Sequence, residues 1–208
     1  MASFKDNAAK ELLSVLPSEA QDVRAFLSAA AKQGGYIHIV GKRRNLVFNL
    51  ESYDECLAVV KLLRTLYPSE FEISAERVRS GVKKGSTAFS VSVPTGFARQ
   101  AVEDFCLADG GVPAFVTESR RAAENYLKGL FLVCGSVYVP SAEGDGEKRE
   151  GYHFEVAVDG EKFAADVAEL LAVFGVHAKI SERGALNLVY IKDKEEILSA
   201  LALLGLAE

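Results

Sequence analysis

"NYLKGLFLVCGSVYV", residues 125–139, joins a helix to a strand without a loop, and this junction decides the fold. Apolar residues in its first ten positions recur with helical spacing, whereas the last four positions alternate as in a strand. Gly135 stands at the corner, where a glycine is predicted to let the backbone turn sharply into the sheet. Cys134 is the last residue of the predicted helix, so the function of this corner depends on whether a thiol can serve there.

The elements around this junction occur twice, about 100 residues apart, in the order helix, strand, strand, helix, strand, strand, helix. Seven elements of similar length in the same order indicate an internal duplication. The first copy runs through "RAFLSAAAKQGG", "YIHIV", "RNLVFNLE", "SYDECLAVVKLLRTLYP", "FEISAERVR", "TAFSVSVP" and "FARQAVEDFCL". The second copy runs through "NYLKGLFLVCG", "SVYVP", "GYHFEVAVD", "GEKFAADVAELLAVFG", "VHAKISER", "ALNLVYIKD" and "KEEILSALALLG".

Helix boundaries follow from residues that satisfy free backbone groups at helix ends. Ser52 and Glu55 have the spacing of a capping box, in which the side chain of each residue accepts a hydrogen bond from the backbone N–H of the other. Asp159 is the predicted N-cap of the second helix in the second copy, and Gly175 its predicted end.

The predicted organisation is one composite domain. Residues 1–17 form an N-terminal helix outside the duplication, residues 18–109 the first repeat, and residues 110–208 the second repeat. A glycine-rich segment that begins with "ADGGVP" joins the repeats, and "SAEGDGEKREG", residues 141–151, is predicted to be a polar hairpin loop.

Composition excludes several classes of protein. No apolar run reaches the roughly 18–20 residues that a membrane span requires, and the charged start "MASFKDNAAKELL" lacks the apolar core of a signal peptide, so we expect a cytoplasmic protein without a membrane partner. The three cysteines form no CxxC pair, which argues against a zinc site or a disulfide framework. A formal net charge of −5 disfavours a dedicated nucleic-acid module, although basic patches are compatible with it.

The duplicated unit resembles the fold of the LAGLIDADG homing endonucleases. "YLKGLFLVCG", residues 126–135, matches their motif, and "FLSAAAKQGG", residues 26–35, is its counterpart in the first repeat. The resemblance implies an α+β fold of two pseudo-twofold αββαββα repeats, with the two motif helices packed side by side. Such packing requires small residues at the crossing, for which Ala25, Ala29 and Gly129 are the candidates.

The chain also resembles, over essentially all its residues, the WhiA family of bacterial sporulation and cell-division transcription regulators. The resemblance is carried by the leading helix, "ESRRAAENYLKGLFLVCGSVYVP", "GYHFEVAV" and the closing "ILSALALLG". It implies a degenerate LAGLIDADG domain followed by a C-terminal helix-turn-helix domain. The sequence stops at Glu208, where that second domain is expected to begin.

The resemblance to the homing endonucleases implies the loss of nuclease chemistry. In active homing endonucleases an acid precedes the final glycine of each motif and holds Mg²⁺ at the scissile phosphate. Gly34 and Cys134 occupy those positions here, and neither is a ligand suited to Mg²⁺. We therefore expect no catalytic residues, no metal and no cofactor. A diverged Mg²⁺-dependent DNA endonuclease with relocated ligands is the alternative, and Cys134 is either a small packing residue or a reactive thiol.

Two basic hairpin turns of the first repeat are the candidate DNA-binding surface. If the fold is of the LAGLIDADG type, "GKRR" and "ERVRSGVKKGS" lie at the margins of a sheet that lies along duplex DNA. The matching turns of the second repeat, "SAEGDGEKREG" and "SERGA", are acidic or mixed. We expect auxiliary contact with double-stranded DNA in the nucleoid, or docking of a transcription factor. The predicted contact residues are Lys42, Arg43, Arg44, Arg77, Arg79, Lys83 and Lys84.

Overall fold

A computed structural model describes residues 4–78, 85–138 and 151–206 of the chain. Helix α1 (Phe4–Ser14) precedes the repeats, and the short α5 (Ala114–Thr117) lies between them. The first repeat contains α2 (Ala20–Gly34), β1 (Gly35–Val40), β2 (Arg43–Leu50), α3 (Tyr53–Leu66), β3 (Glu72–Arg77), β4 (Thr87–Val93) and α4 (Thr95–Asp104). The second contains α6 (Arg120–Cys134), β5 (Gly135–Tyr138), β6 (His153–Val158), α7 (Glu161–Ala172), β7 (Lys179–Arg183), β8 (Leu186–Ile191) and α8 (Lys194–Leu204).

This element order confirms the predicted α+β fold with two αββαββα repeats. Helix α5, inside the glycine-rich joining segment, was not predicted. The proposed polar loop at 141–151 lies outside the described residues apart from Gly151. None of the helices within the described ranges is long and apolar enough to cross a membrane.

Each repeat forms one four-stranded antiparallel sheet, with the strand orders β1-β2-β4-β3 and β5-β6-β8-β7. Residues directly opposite each other in such a sheet have their side chains on the same face. Phe48 lies opposite Val91 on the face that packs against the helices, and both are fully buried. Asn49 lies opposite Ser90 on the other face. Every sheet thus has a helix-packed face and a solvent face.

The motif helices α2 and α6 pack side by side and form the most extensive helix–helix contact of the described structure. A Cβ atom added to Gly129 would lie 2.1 Å from the carbonyl oxygen of Phe26, so only glycine permits this approach. Ala25 and Ala29 are fully buried on α2, which agrees with the predicted need for small residues. Arg121 of α6 lies 2.5 Å from a carboxylate oxygen of Asp22 of α2.

Glycine is required at both helix–strand corners, but not for the predicted reason. Gly35 and Gly135 have φ values of −102° and −81°, which any residue can adopt. A Cβ on Gly35 would lie 2.3 Å from the carbonyl oxygen of Ala31, and one on Gly135 would lie 2.2 Å from the ring of Phe131. The missing side chain provides space for the strand to leave directly beneath the last helical turn.

The predicted helix caps have mixed outcomes. The backbone N–H of Glu55 donates to the Ser52 hydroxyl at 3.2 Å, so the predicted cap at α3 is confirmed. Asp159 was a wrong prediction, because α7 is preceded by Gly160, at φ 87°, without any side-chain cap. Gly175 lies in the left-handed region, at φ 79°, three residues beyond the end of α7, where it completes the turn out of the helix.

Candidate nucleic-acid interface

The corners that would hold catalytic metal in an active homing endonuclease lie where α2 and α6 end, at Gly34 and Cys134. A Cβ on Gly34 would lie 3.1 Å from Val133 Cγ1 and 3.2 Å from the carbonyl oxygen of Asn49, so there is little space for a side chain at this position. The Cys134 thiol donates to the carbonyl oxygen of Leu130 at 3.2 Å. Neither position presents a carboxylate to the space between the repeats.

Polar groups near the first corner link the repeats. The Lys32 ammonium donates to the Asp109 carbonyl and lies 5.6 Å from the ring centroid of Phe163. Burial lowers the pKa of Lys32, and Asp109 partly opposes this shift. The backbone N–H of Asp159 donates to Gln33 Oε1 at 3.3 Å. No group of three or more His, Cys, Asp or Glu residues that could hold a metal occurs within the described parts of the chain.

A cluster of basic and aromatic side chains lies on the solvent face of the second sheet. Strand pairing places Tyr138 opposite His153, and Tyr190 opposite both Glu155 and Lys179, so these five share one face. Lys192 follows β8, with its ammonium 5.5 Å from the ring centroid of Tyr190. The repeat-two face is defined as Tyr138, His153, Glu155, Lys179, Arg183, Tyr190 and Lys192.

The repeat-two face carries more positive than negative side chains. Its single carboxylate, Glu155, has an oxygen 2.7 Å from His153 Nε2 and another 4.0 Å from an Arg183 nitrogen. Lys179 and Lys192 are exposed and have no ion-pair partner in the described part of the chain. Three cations, Lys179, Arg183 and Lys192, therefore share this face with one carboxylate, whose oxygens lie beside His153 and Arg183.

Aromatic rings and two surface depressions lie among the charged residues of this face. The rings of His153 and Tyr190 are nearly parallel, with centroids 6.0 Å apart. Lys192 borders two depressions, of about 480 Å³ and about 510 Å³. The first also contacts Lys179 and Tyr190, and the second contacts Tyr138 and His153. Such a surface can bind anions with its cations while the rings contact flat or apolar groups.

The corresponding face of the first sheet has the opposite charge at equivalent positions. Glu72 lies opposite Ser92 on β4 in the way that Lys179 lies opposite Tyr190 on β8. Four residues further along the same strands, Glu76 corresponds to Arg183. The repeat-one face is defined as Tyr36, His38, Val40, Arg43, Asn45, Val47, Glu72, Ser74 and Glu76.

The cations that the sequence singled out are divided between the two faces of the first sheet. Arg43 lies opposite Val40 on the repeat-one face. Arg44, opposite Ile39, and Arg77, opposite Thr87, lie on the side of the helices. Lys42 is in the exposed β1–β2 turn. The remaining candidates lie outside the described residues: Arg79, Lys83 and Lys84. For all seven, DNA contact stays a prediction.

The basic residues of the repeat-two face were missed because the turn "SERGA" was interpreted as mixed in charge. Alternation along β7 separates that mixture, since Lys179 and Arg183 lie on the solvent face and Glu182 on the other. The spacing of Lys179 and Arg183 was available in "KISER". The missing information was which face the strand buries.

Comparisons with known proteins show which proteins this chain is similar to. A family model described as the WhiA LAGLIDADG-like domain matches residues 123–208. A "Probable cell division protein WhiA" of Desulforamulus reducens is 30% identical over 97% of this chain and 62% of its own length. That of Heliobacterium modesticaldum is 28% identical over 98% of this chain and 63% of its own. The chain is similar to the WhiA proteins over nearly all of its length. It spans about three fifths of the length of these curated relatives.

Solved structures show the same fold. The crystal structure of full-length DUF199/WhiA from Thermatoga maritima has a TM-score of 0.72 at 23% identity, covering 98% of this chain and 62% of that one. The homing endonuclease I-DmoI in complex with its target DNA has a TM-score of 0.60 at 13% identity, covering 89% and 96%. Both resemblances predicted from the sequence, to WhiA and to the LAGLIDADG fold, are thus confirmed.

Proposed function

We propose that this chain is a non-catalytic, DNA-contacting part of a WhiA-type transcriptional regulator of cell division and sporulation. The observation that carries the proposal is the repeat-two face, where Lys179, Arg183 and Lys192 share one side of the sheet with a single carboxylate, Glu155. The names of the relatives support the cell-division role, and the I-DmoI complex supports DNA as the ligand of this fold.

The geometry of the cations fits an extended polyanion. Lys179 and Arg183 are four residues apart on one strand, which separates their Cα atoms by roughly 13 Å. Each phosphate neutralised releases counterions, so three such contacts give a slope of log K against log salt of roughly −2.7. A slope of this size belongs to weak, auxiliary binding that another domain makes specific.

The corner positions support the non-catalytic part of the proposal. Gly34 has no side chain, and the Cys134 thiol is engaged with the backbone of its own helix. Any side chain at position 34 would place its Cβ 3.1 Å from Val133 Cγ1 and 3.2 Å from the carbonyl oxygen of Asn49, so these neighbours would have to shift by a few tenths of an ångström. Contact with DNA without cleavage would place the protein at the nucleoid in the cytoplasm, where a transcription-factor partner could also dock.

Fluorescence anisotropy with a labelled random duplex, at low and at physiological salt, tests this proposal. We expect binding that weakens steeply with salt and that Lys179→Glu with Arg183→Glu weakens at least about tenfold, roughly 1.4 kcal/mol. The matched control is Lys61→Glu with Arg99→Glu, which changes the net charge equally on exposed positions of α3 and α4.

Equal losses in the two double variants would show a general charge effect and would contradict a specific face. Failure of the unmodified chain to bind at low salt would remove DNA from the proposal. The same samples are then incubated with supercoiled plasmid and Mg²⁺, and we expect the plasmid to stay intact. Nicking that disappears on chelation of Mg²⁺ would instead support the diverged endonuclease.

A further inference from the structure

Strand β1 is an edge strand with an unusual surface. It lies at the end of the first sheet and pairs with β2 on one side only. Tyr36, Ile37, Ile39 and Val40 are 43–60% exposed, on both faces of the strand. The strand carries no charged residue, and His38 is its only ionisable group apart from the tyrosine.

The other edge strands have the protection that sheet edges usually have. On β3, Glu72, Glu76 and Arg77 provide charges, and β7 provides its own in Lys179, Glu182 and Arg183. Helix α1 packs against β5, where Val137 is 6% exposed. Its counterpart on β1, Ile37, is 43% exposed. Among the edges within the described ranges, β1 alone has neither charges nor a covering helix.

We propose that β1 pairs antiparallel with β1 of a second copy of this chain, on a twofold axis at His38. The N–H and C=O groups along the outer edge of the strand can pair with the extended backbone of a partner. The sequence "YIHIV" is nearly symmetric about its histidine. In this register Ile37 of one copy lies opposite Ile39 of the other, and Tyr36 lies opposite Val40.

The absence of charge argues for a second copy over a foreign strand. A charged partner would find no complementary group on β1, whereas self-pairing covers apolar side chains on both faces with apolar side chains. The register places Lys42 beside Gly34 of the other copy, so no like charges meet along the strand pair. The product is a continuous eight-stranded sheet, formed from the four strands β1–β4 of each copy.

The contact is confined to one strand pair and its flanking side chains, so the buried area is at the small end for protein interfaces. Small interfaces of this kind are transient, and we expect dissociation constants of the order of micromolar or weaker. The pairing does not depend on the proposed DNA contact, since the β1 edge contributes none of the repeat-two cations.

Sedimentation velocity without DNA, from roughly 5 to 300 µM protein, measures the association directly. We expect the mean mass to rise from one chain towards two. Ile37→Lys should keep the chain monomeric at all these concentrations. The control is Ile180→Lys on edge strand β7, because Ile180 is 44% exposed and has the same chemistry; this variant should associate as the unmodified chain does. Circular dichroism verifies that both variants fold.

Cysteine trapping tests the register. A His38→Cys variant would place two thiols across the axis, with Cα atoms about 4.5–5.5 Å apart, within reach of a disulfide. We expect mild oxidation to link two copies, whereas Ser181→Cys on β7 should give only the background of the native cysteines. The proposal is overturned if the unmodified chain stays monomeric, if Ile37→Lys associates normally, or if the two cysteine variants cross-link equally.

Discussion

Replacement of Gly129 by alanine is expected to destabilise the fold, because α2 and α6 touch through the backbone at this residue. The added Cβ would lie 2.1 Å from the carbonyl oxygen of Phe26 and 2.8 Å from its carbonyl carbon. Carbon and oxygen do not approach closer than about 3 Å, so the helices must separate by roughly 1 Å. The obstacle is backbone and cannot rotate away as a side chain would.

The expected magnitude follows from two opposing effects. Overpacking a tight contact costs about 1–3 kcal/mol, and a rigid backbone obstacle places Gly129→Ala near the upper value. Alanine in place of glycine in a helix returns about 1 kcal/mol. The net loss of about 2 kcal/mol corresponds to a fall in melting temperature of roughly 4–8 °C for a chain of this size.

Thermal and urea unfolding followed by circular dichroism measure this effect. Gly96→Ala is the matched control, because Gly96 lies in helix α4 and a Cβ there meets no atom within 4 Å. That variant should gain up to about 1 kcal/mol from helix propensity alone. If Gly129→Ala were as stable as Gly96→Ala, the close crossing of the two motif helices would be refuted.

Three further tests concern other features. Tyr126→Phe should raise the free energy of unfolding by about 1 kcal/mol in urea, because the buried Tyr126 hydroxyl has no partner in the described structure; a loss would show that it has one. Burial raises the pKa of Glu55, so the associated stability is present below its ordinary value of 4.5 and is lost as pH rises through the folded-state pKa. Glu55→Gln should therefore match the unmodified chain in unfolding experiments near pH 4 and exceed it in stability near pH 7. Arg43→Ala should weaken duplex binding in anisotropy measurements and Arg44→Ala should not, since only Arg43 lies on the repeat-one face; equal effects would count against a role for that face.

The fold was predictable because the same order of helices and strands occurs twice in the sequence. Each repeat supplies an independent sample of the same helix–strand corner, and the second sample, with Gly135 after an apolar helix, is the clearer one. The cap at Ser52 was predictable for a local reason, since the backbone N–H that donates to its hydroxyl belongs to Glu55, only three residues along the chain.

Local reasoning failed where a contact comes from elsewhere in the chain. Gly135 is needed because of the Phe131 ring above it, which sequence spacing does not reveal. Asp159 is a residue type that often caps helices, but Gly160 occupies the cap position of α7, and the backbone N–H of Asp159 donates to Gln33 of the other repeat. Helix α5 follows Pro113 in a segment whose glycines favoured a loop.

The absence of the motif acids was predictable from the sequence, whereas the basic surface of the second sheet was not. Positions 34 and 134 are fixed by the motif, so the missing acids could be identified without coordinates. The cations Lys179 and Arg183 became visible as one surface only when strand pairing assigned them to the solvent face. Charge counted along hairpin turns does not contain that information.

The reversal from Glu72 to Lys179 has a consequence for how such a molecule can evolve. In a symmetric homodimer every mutation is made twice, so both ends must keep the same charge. A gene that encodes the two halves in tandem releases each half to change separately. The two sheets of the resulting protein differ in charge. An elongated ligand that spans both sheets would therefore bind in one orientation in preference to the reverse.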